Sequence, residues 1–297
     1  MFKNLCVEAL GVSGQQNEVI ELALSNGFKG IDIDLADFAQ QVEARGLGHA
    51  RRLIDSSRLK VGTFALPIDW QLDDNDQFRS EIDKLRRFVE LAQQIGATRA
   101  TATIQPASDH KPYHENFEFH RRRFGEIGDV LGEYDIQLGL GFVAPARERE
   151  GRAFQFIQAA DALLMLISSI AAPRVGLMLD LWHWHLGGGT LEQLRRLTAD
   201  RIVKVIVSDA DAGALAKDAA PEARRLPGET GIIDAPAVLA HLAEIQYAGP
   251  VTPKAHASAF KGQSRDKTVR QAAAALDQIW NAAGLNSSGK LAAVQGR

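Results

Sequence analysis

Short apolar runs alternate along the chain with longer stretches of helical period. Asn4–Leu10 is an apolar-rich run closed by Gly-Val-Ser-Gly, and Val19, Ile20, Leu22 and Ala23 give Gln15–Ser25 a helical face. Asn26-Gly27 stops that helix. Phe28–Leu35 alternates through Ile31, Ile33 and Leu35 as a strand does, and Asp37–Ser57 is helical again. The rhythm continues with strands over Leu59–Leu66, Thr98–Ile104, Ile136–Val143, Val175–Leu181, Arg201–Ser208 and Gly249–Lys254. Between and after them lie helical patterns over Asp76–Gly96, Phe117–Tyr134, Phe154–Ile170, Thr190–Leu197, Ala235–Ile245 and Ser264–Trp280. Eight strand–helix units with no break in composition predict one α/β domain, a single (β/α)8 TIM barrel over 1–283, with 284–297 as a disordered tail. A doubly wound open sheet is the alternative. No glycine-rich dinucleotide turn opens the first helix, which counts against it.

Strand side chains alternate, and the smaller or more polar set is assigned to the barrel interior. That set is Gln137, Gly139 and Gly141; Gly176, Met178 and Asp180; Lys204, Ile206 and Ser208; and Thr252 and Lys254. Asp32, Asp34, Thr101, Thr103 and Glu8 join it from earlier strands. Sites of such barrels sit at the carboxyl ends of the strands. The stretch Leu179-Asp180-Leu-Trp-His183-Trp-His185 is the richest in chemistry, because a carboxylate ends a buried strand and two imidazoles follow it.

Composition narrows the function classes. The 297 residues are 45% hydrophobic with a formal net charge of -3, which offers no footprint for nucleic acid. Basic clusters such as Arg121-Arg122-Arg123 fall in a helical pattern, where a solvated face accounts for them. No run is long enough to span a membrane. Cys6 is the single cysteine, so no internal disulfide forms, and the short polar N-terminal stretch does not read as a secretory signal. The expected location is the cytoplasm.

The chain resembles the xylose isomerase-like barrels, the superfamily of sugar phosphate isomerases and epimerases that includes endonuclease IV. The resemblance rests on the Leu179–His185 stretch, on Val207-Ser208-Asp209-Ala210, on Arg224-Arg-Leu-Pro-Gly-Glu-Thr-Gly-Ile-Ile-Asp234 and on Gly249-Pro-Val-Thr. It spans essentially the whole chain and implies a small carbohydrate-like ligand, a sugar, polyol or sugar phosphate. It also implies one divalent ion held by Glu, Asp, His and Glu on the fifth to eighth strands. Asp180 matches the Asp, but Gly141, Ile206 and Lys254 stand where the other donors belong. The expectation is therefore no metal and no cofactor, with Lys254 filling part of the ion's space and pairing with Asp180.

Candidate catalytic residues are Asp180, His183 and Lys254; candidate substrate-binding residues are Arg224, His185, Trp70 and Glu115. Lys254 reads either as a catalytic amine, for carbonyl polarisation or Schiff-base chemistry, or as half of a structural ion pair. His183 reads as an acid–base group contacting ligand hydroxyls or as a brace for the turn. Arg224 matches the arginine that relatives are expected to keep near substrate oxygens. Glu115 belongs to a loop, with His110, Tyr113 and His114, that could line the mouth. Asp32 and Asp34 are acid–base candidates or counterions for Lys204. Two functions remain open: a degenerate relative that binds its ligand without turnover, or a metal-independent isomerase, epimerase or lyase using Lys254 with His183 or Asp180. Recruitment of a metal through His183 and His185, and an oligomeric assembly, also remain open.

Overall fold

The structure is a computed structural model that describes residues 1–215 and 219–292. Parallel strands form its centre: β1 (Phe2–Leu5), β2 (Gly30–Ile31), β3 (Lys60–Val61, resuming as Phe64–Ala65), β4 (Arg99–Ile104), β5 (Gln137–Phe142), β6 (Val175–Asp180), β7 (Ile202–Val207) and β8 (Pro250–Pro253). Their lateral order is β3-β2-β1-β8-β7-β6-β5-β4. The first half of β3 pairs with β2 and the second half with β4, so the two ends of the sheet are one strand and the ring closes. Around it lie α1 (Gln16–Ser25), α2 (Leu35–Arg45), α3 (Leu47–Ser57), α4 (Asn75–Gln94), α5 (Tyr113–Glu133), α6 (Ala160–Ser169), α7 (Leu181–Leu186), α8 (Leu191–Leu194), α9 (Ala235–Glu244) and α10 (Arg265–Ala282). No helix among the described residues is long and apolar enough to cross a membrane.

The apolar half of each strand packs outward against the helices. Ala100, Leu138, Leu140, Val205 and Val251 are fully buried there, as are Phe78, Leu85, Phe124 and Ile127 from the helices. Carboxylates set several helix starts. Asp34 accepts the backbone N–H groups of Ala36 and Asp37 at the head of α2, Asp74 does the same for α4, and Asp180 for α7.

The inside of the barrel floor is polar. The Lys204 ammonium pairs with Asp32 and donates to Thr63 Oγ1 at 2.9 Å. Asp32 also accepts from Asn4 Nδ2 at 2.8 Å and from the Thr63 N–H at 2.9 Å, and Asn4 donates to Thr252 Oγ1 at 3.0 Å. Gly62 makes room for this network, since a Cβ there would lie 2.2 Å from Asn4 Oδ1 and 2.7 Å from an Asp32 carboxylate oxygen. Asp32 is thus the counterion of Lys204. Asp34 is a helix cap, because the chain turns into α2 as soon as β2 ends.

Several boundaries differ from the sequence reading. The long second helical stretch breaks at Gly46, whose φ of 81° separates α2 from α3. α5 begins at Tyr113 and so absorbs part of the expected loop, while Phe154–Gln155 pairs antiparallel with Ala107–Ser108 ahead of α6. Leu181–Leu186 is a helix, α7, entered directly from β6. Residues 284–292 are a folded turn, in place of the expected disorder. Leu285 bridges Leu291, and the Asn286 carbonyl accepts from Trp280 Nε1 at 2.9 Å. Residues 293–297 lie outside the described residues.

Removing one member of a buried ion pair leaves the other charge without a partner in a poorly solvating site. Asp32→Ala is expected to lower unfolding free energy by about 3–5 kcal/mol in urea titrations, with Lys204 left alone. A loss below about 1 kcal/mol would mean that the pair does not organise the floor.

Candidate functional site

Above the polar floor, at the carboxyl ends of the strands, lies a cavity of about 590 Å³, within the range of small-molecule sites. Its lining includes Cys6, Glu8, Trp70, Thr101, Thr103, Gly141, Met178, Asp180, His183, Lys204, Ile206, Thr252 and Lys254. Of the residues that strand alternation assigned to the interior over β4 to β8, Thr101, Thr103, Gly141, Met178, Asp180, Lys204, Ile206, Thr252 and Lys254 line this cavity, and Gln137, Gly139, Gly176 and Ser208 do not. Cys6 also lines it and is absent from the interior set read from the sequence; it follows the end of β1, where strand alternation no longer applies.

Asp180 has three duties. It ends β6, it caps α7 by accepting from the Trp182 N–H at 3.1 Å, and it receives Arg224. One terminal nitrogen of Arg224 lies 2.7 and 2.8 Å from the two carboxylate oxygens, and Arg224 Nε donates to Ser208 Oγ at 2.8 Å. Both residues are over nine-tenths buried. Burial alone would raise the Asp180 pKa, but the surrounding positive charge, Arg224 foremost, outweighs it and holds the carboxyl below its ordinary range. The expected partner of Asp180 was Lys254; Arg224 takes that place. Arg224 is consequently a buried brace and no part of the cavity lining.

The long loop after β7 carries Arg224 to this position. Asp209 is fully buried and accepts the N–H groups of Thr230, Gly231 and Ile233, folding the far end of the loop back on itself. Asp209–Ala210 pairs antiparallel with Arg224–Arg225. The loop is then tied to the end of β8, since the Arg224 carbonyl accepts from the His256 N–H at 3.1 Å.

Lys254 follows β8 and lines the cavity. Its N–H donates to the Val207 carbonyl at 2.9 Å, and its own carbonyl accepts from Ser208 Oγ at 2.7 Å, so its backbone is fixed. No carboxylate lies at ion-pair distance from its ammonium among the described residues, in contrast to Lys204. The positive charge of Arg224 comes first among the causes that lower its pKa, with desolvation second, and the attraction of Asp180 only partly opposes them.

His183 lies on the first turn of α7 and also lines the cavity. Its Nδ1 accepts from the Ala144 N–H at 3.3 Å, which leaves the proton of the neutral ring on Nε2. Burial pushes its pKa down to about 4, against the opposing pull of Asp180. His185 stands two residues further along the same helix, about 200° around its axis, and is exposed outside the cavity. The two imidazoles therefore do not share a site. Trp70 lines the cavity, its ring 4.7 Å from Phe124 and 5.3 Å from His120. Glu115 does not. It sits exposed on the first turn of α5, as do Tyr113 and His114.

The divalent ion that the resemblance implies does not fit these residues. Asp180 has both oxygens on Arg224, Ile206 has no donor atom, and Lys254 brings an amine. At Gly141 a Cβ would lie 2.4 Å from the terminal methyl of Met178, whose side chain fills the space a longer residue would need. Among the described residues no three His, Cys, Asp or Glu side chains converge.

His120 resembles His183 in being buried; its Nδ1 bonds to the Asn116 carbonyl at 2.7 Å, and desolvation lowers its pKa to about 4. Both imidazoles stay neutral in the folded chain well below their ordinary value of 6.5. Between those limits the unfolded chain binds more protons, so stability falls as pH falls. Asp180, whose folded pKa is depressed, keeps its contribution across this window. Calorimetry is expected to show a melting temperature that drops from about pH 6.5 to pH 4, with roughly two protons taken up on unfolding and about half that uptake in His183→Gln. A melting temperature independent of pH over this range would contradict the neutral assignment.

A family model described as a xylose isomerase-like TIM barrel matches residues 20–279. An inosose isomerase from Bacillus licheniformis is 26% identical over 149 residues, an alignment that spans 50% of this chain and 50% of that protein. A xylose isomerase domain protein from Alicyclobacillus acidocaldarius superposes with a TM-score of 0.84 at 24% identity, covering 95% of this chain and 99% of that one. The IOLI protein, solved with a binding zinc atom, superposes with a TM-score of 0.77 at 17% identity, covering 96% and 98%. At these identities the two structures establish a shared fold.

Proposed function

We propose, on the premise that the chain belongs to the xylose isomerase-like TIM barrel family, that its cavity takes a small polyhydroxylated carbonyl compound and works on it without a divalent ion. The observation that carries this reading is the pairing of Asp180 with Arg224, which withdraws the one matching metal donor and leaves Lys254 facing the cavity alone.

The rest of the lining suits such a ligand. The neutral His183 offers Nε2–H, Thr103 offers a hydroxyl, and Trp70 offers an apolar ring for the C–H face of a sugar or cyclic polyol. Glu8 supplies a carboxylate without an ion-pair partner among the described residues. Lys254 supplies the group that engages the carbonyl. The inosose isomerase relative is named for a ligand of this class.

A second reading, binding without turnover, draws support from the same pair, because Asp180 locked on Arg224 is a poor proton acceptor. Exchange of carbon-bound hydrogen separates the two. Ketoses and inososes incubated with the protein in deuterated buffer containing EDTA are expected to bind and to incorporate deuterium beside the carbonyl. Lys254→Met should slow that exchange on the order of 10²-fold or more. Binding without exchange would select the second reading. Exchange that appears only on adding a divalent cation would overturn the metal-independent one.

A further inference from the structure

The barrel interior holds two lysines in opposite situations, and the contrast points to a chemical role. Lys204 is tied to Asp32 and to Thr63 on the floor. Lys254 lies higher, at the mouth, with no acceptor for its side chain among the described residues. From this geometry we infer that Lys254 Nζ forms an imine with the carbonyl carbon of the bound ligand. The inference deepens the metal-independent reading above and rests on it.

Three features support the covalent step. First, the two cations closest in influence, Arg224 and Lys204, are each already held by a carboxylate, so they repel a third charge without offering it a counterion. A lysine beside another cationic group is the arrangement that favours the neutral, nucleophilic amine. Second, the Lys254 backbone is fixed by bonds to Val207 and Ser208, so its side chain starts from a rigid base. Third, His183 presents a neutral ring with its proton on Nε2, able to hold a leaving oxygen by a hydrogen bond without competing as a charge.

The step balances without an oxidant or reductant. The Nζ lone pair adds to the carbonyl carbon, the π electrons go to oxygen, and a proton moves from nitrogen to oxygen to give a carbinolamine. With one proton taken from solvent, the C–O bond breaks and water departs from beside His183, while the nitrogen lone pair forms C=N. The resulting iminium acidifies the neighbouring C–H. Glu8, the lining carboxylate not bound to a cation, is placed to accept that proton and to return it. Hydrolysis then releases product and regenerates the amine. The positive charge that a dication would supply to the carbonyl arises on nitrogen instead.

Reductive trapping tests this. The full chain, in EDTA, is mixed with dihydroxyacetone, D-fructose or an inosose and treated with sodium borohydride. Intact-mass and peptide analysis should show one adduct of ligand mass less one oxygen, at Lys254, with only traces at exposed lysines such as Lys29 and Lys84. Lys254→Arg, which keeps a cation but cannot form the imine, is expected to bind the ligand, to lose the adduct and to lose deuterium exchange. Ligand binding with no adduct at Lys254, or exchange retained in Lys254→Arg, would overturn the covalent step and leave the metal-independent reading in place. Binding that needs a divalent cation would overturn that reading itself.

Discussion

The bond between Arg224 and Asp180 decides how the mouth of the barrel is built. One guanidinium nitrogen reaches both carboxylate oxygens, and the Nε of the same group reaches Ser208. Through these contacts the end of β6, the head of α7, the end of β7 and the long loop that follows it become one assembly. Breaking a buried charge pair by removing one partner costs about 3–5 kcal/mol, so the assembly is not easily exchanged for another. Its chemical effect is subtractive. A carboxylate that could serve a metal or move a proton is occupied, and the reactive groups left on the wall are an amine, a neutral imidazole and a glutamate.

The floor and the mouth solve the same electrostatic problem differently. A buried cation needs compensating acceptors, and a lysine without them is driven toward its neutral form. Lys204 and Arg224 each have one, held in addition by hydroxyl or backbone groups. With two interior carboxylates committed, Lys254 is the amine left without a counterion, and the neighbouring charge of Arg224 and desolvation both disfavour its charged form. Met178 adds a steric element, laying its flexible end over Gly141 so that the wall is filled there by a soft apolar group.

Much of this was legible from residue order because the relevant signals are local. The period of two along β5, β6 and β7 put Gly141, Met178, Asp180, Lys204 and Ile206 on one surface, and they do share it. What the order of residues could not tell is which of two cations, 44 and 74 positions away in the chain, would reach Asp180 first. Arginine has the planar donor set suited to a carboxylate, and the loop that carries it is anchored by Asp209 some distance from the motif. α7 escaped notice for a related reason. Its residues are apolar enough to prolong a buried strand, and the carboxylate that ends the strand is also the helix cap. Ending the strand at Leu181 and starting the next helix at Thr190 kept His183 and His185 together beyond the strand end, whereas a helical turn sends them apart. Glu115 failed similarly, because an early start to α5 turned an expected loop residue into a helix surface residue.

The tight fit around Gly62 reaches beyond stability. Any side chain at that position would strike Asn4 and Asp32, whereas shortening Asn4 or Asp32 first would open space there, and shortening Asp32 would also strand the ammonium of Lys204. Positions 4, 32, 62 and 204 are therefore coupled: what one of them tolerates depends on the side chains at the others, so substitutions on the barrel floor act non-additively.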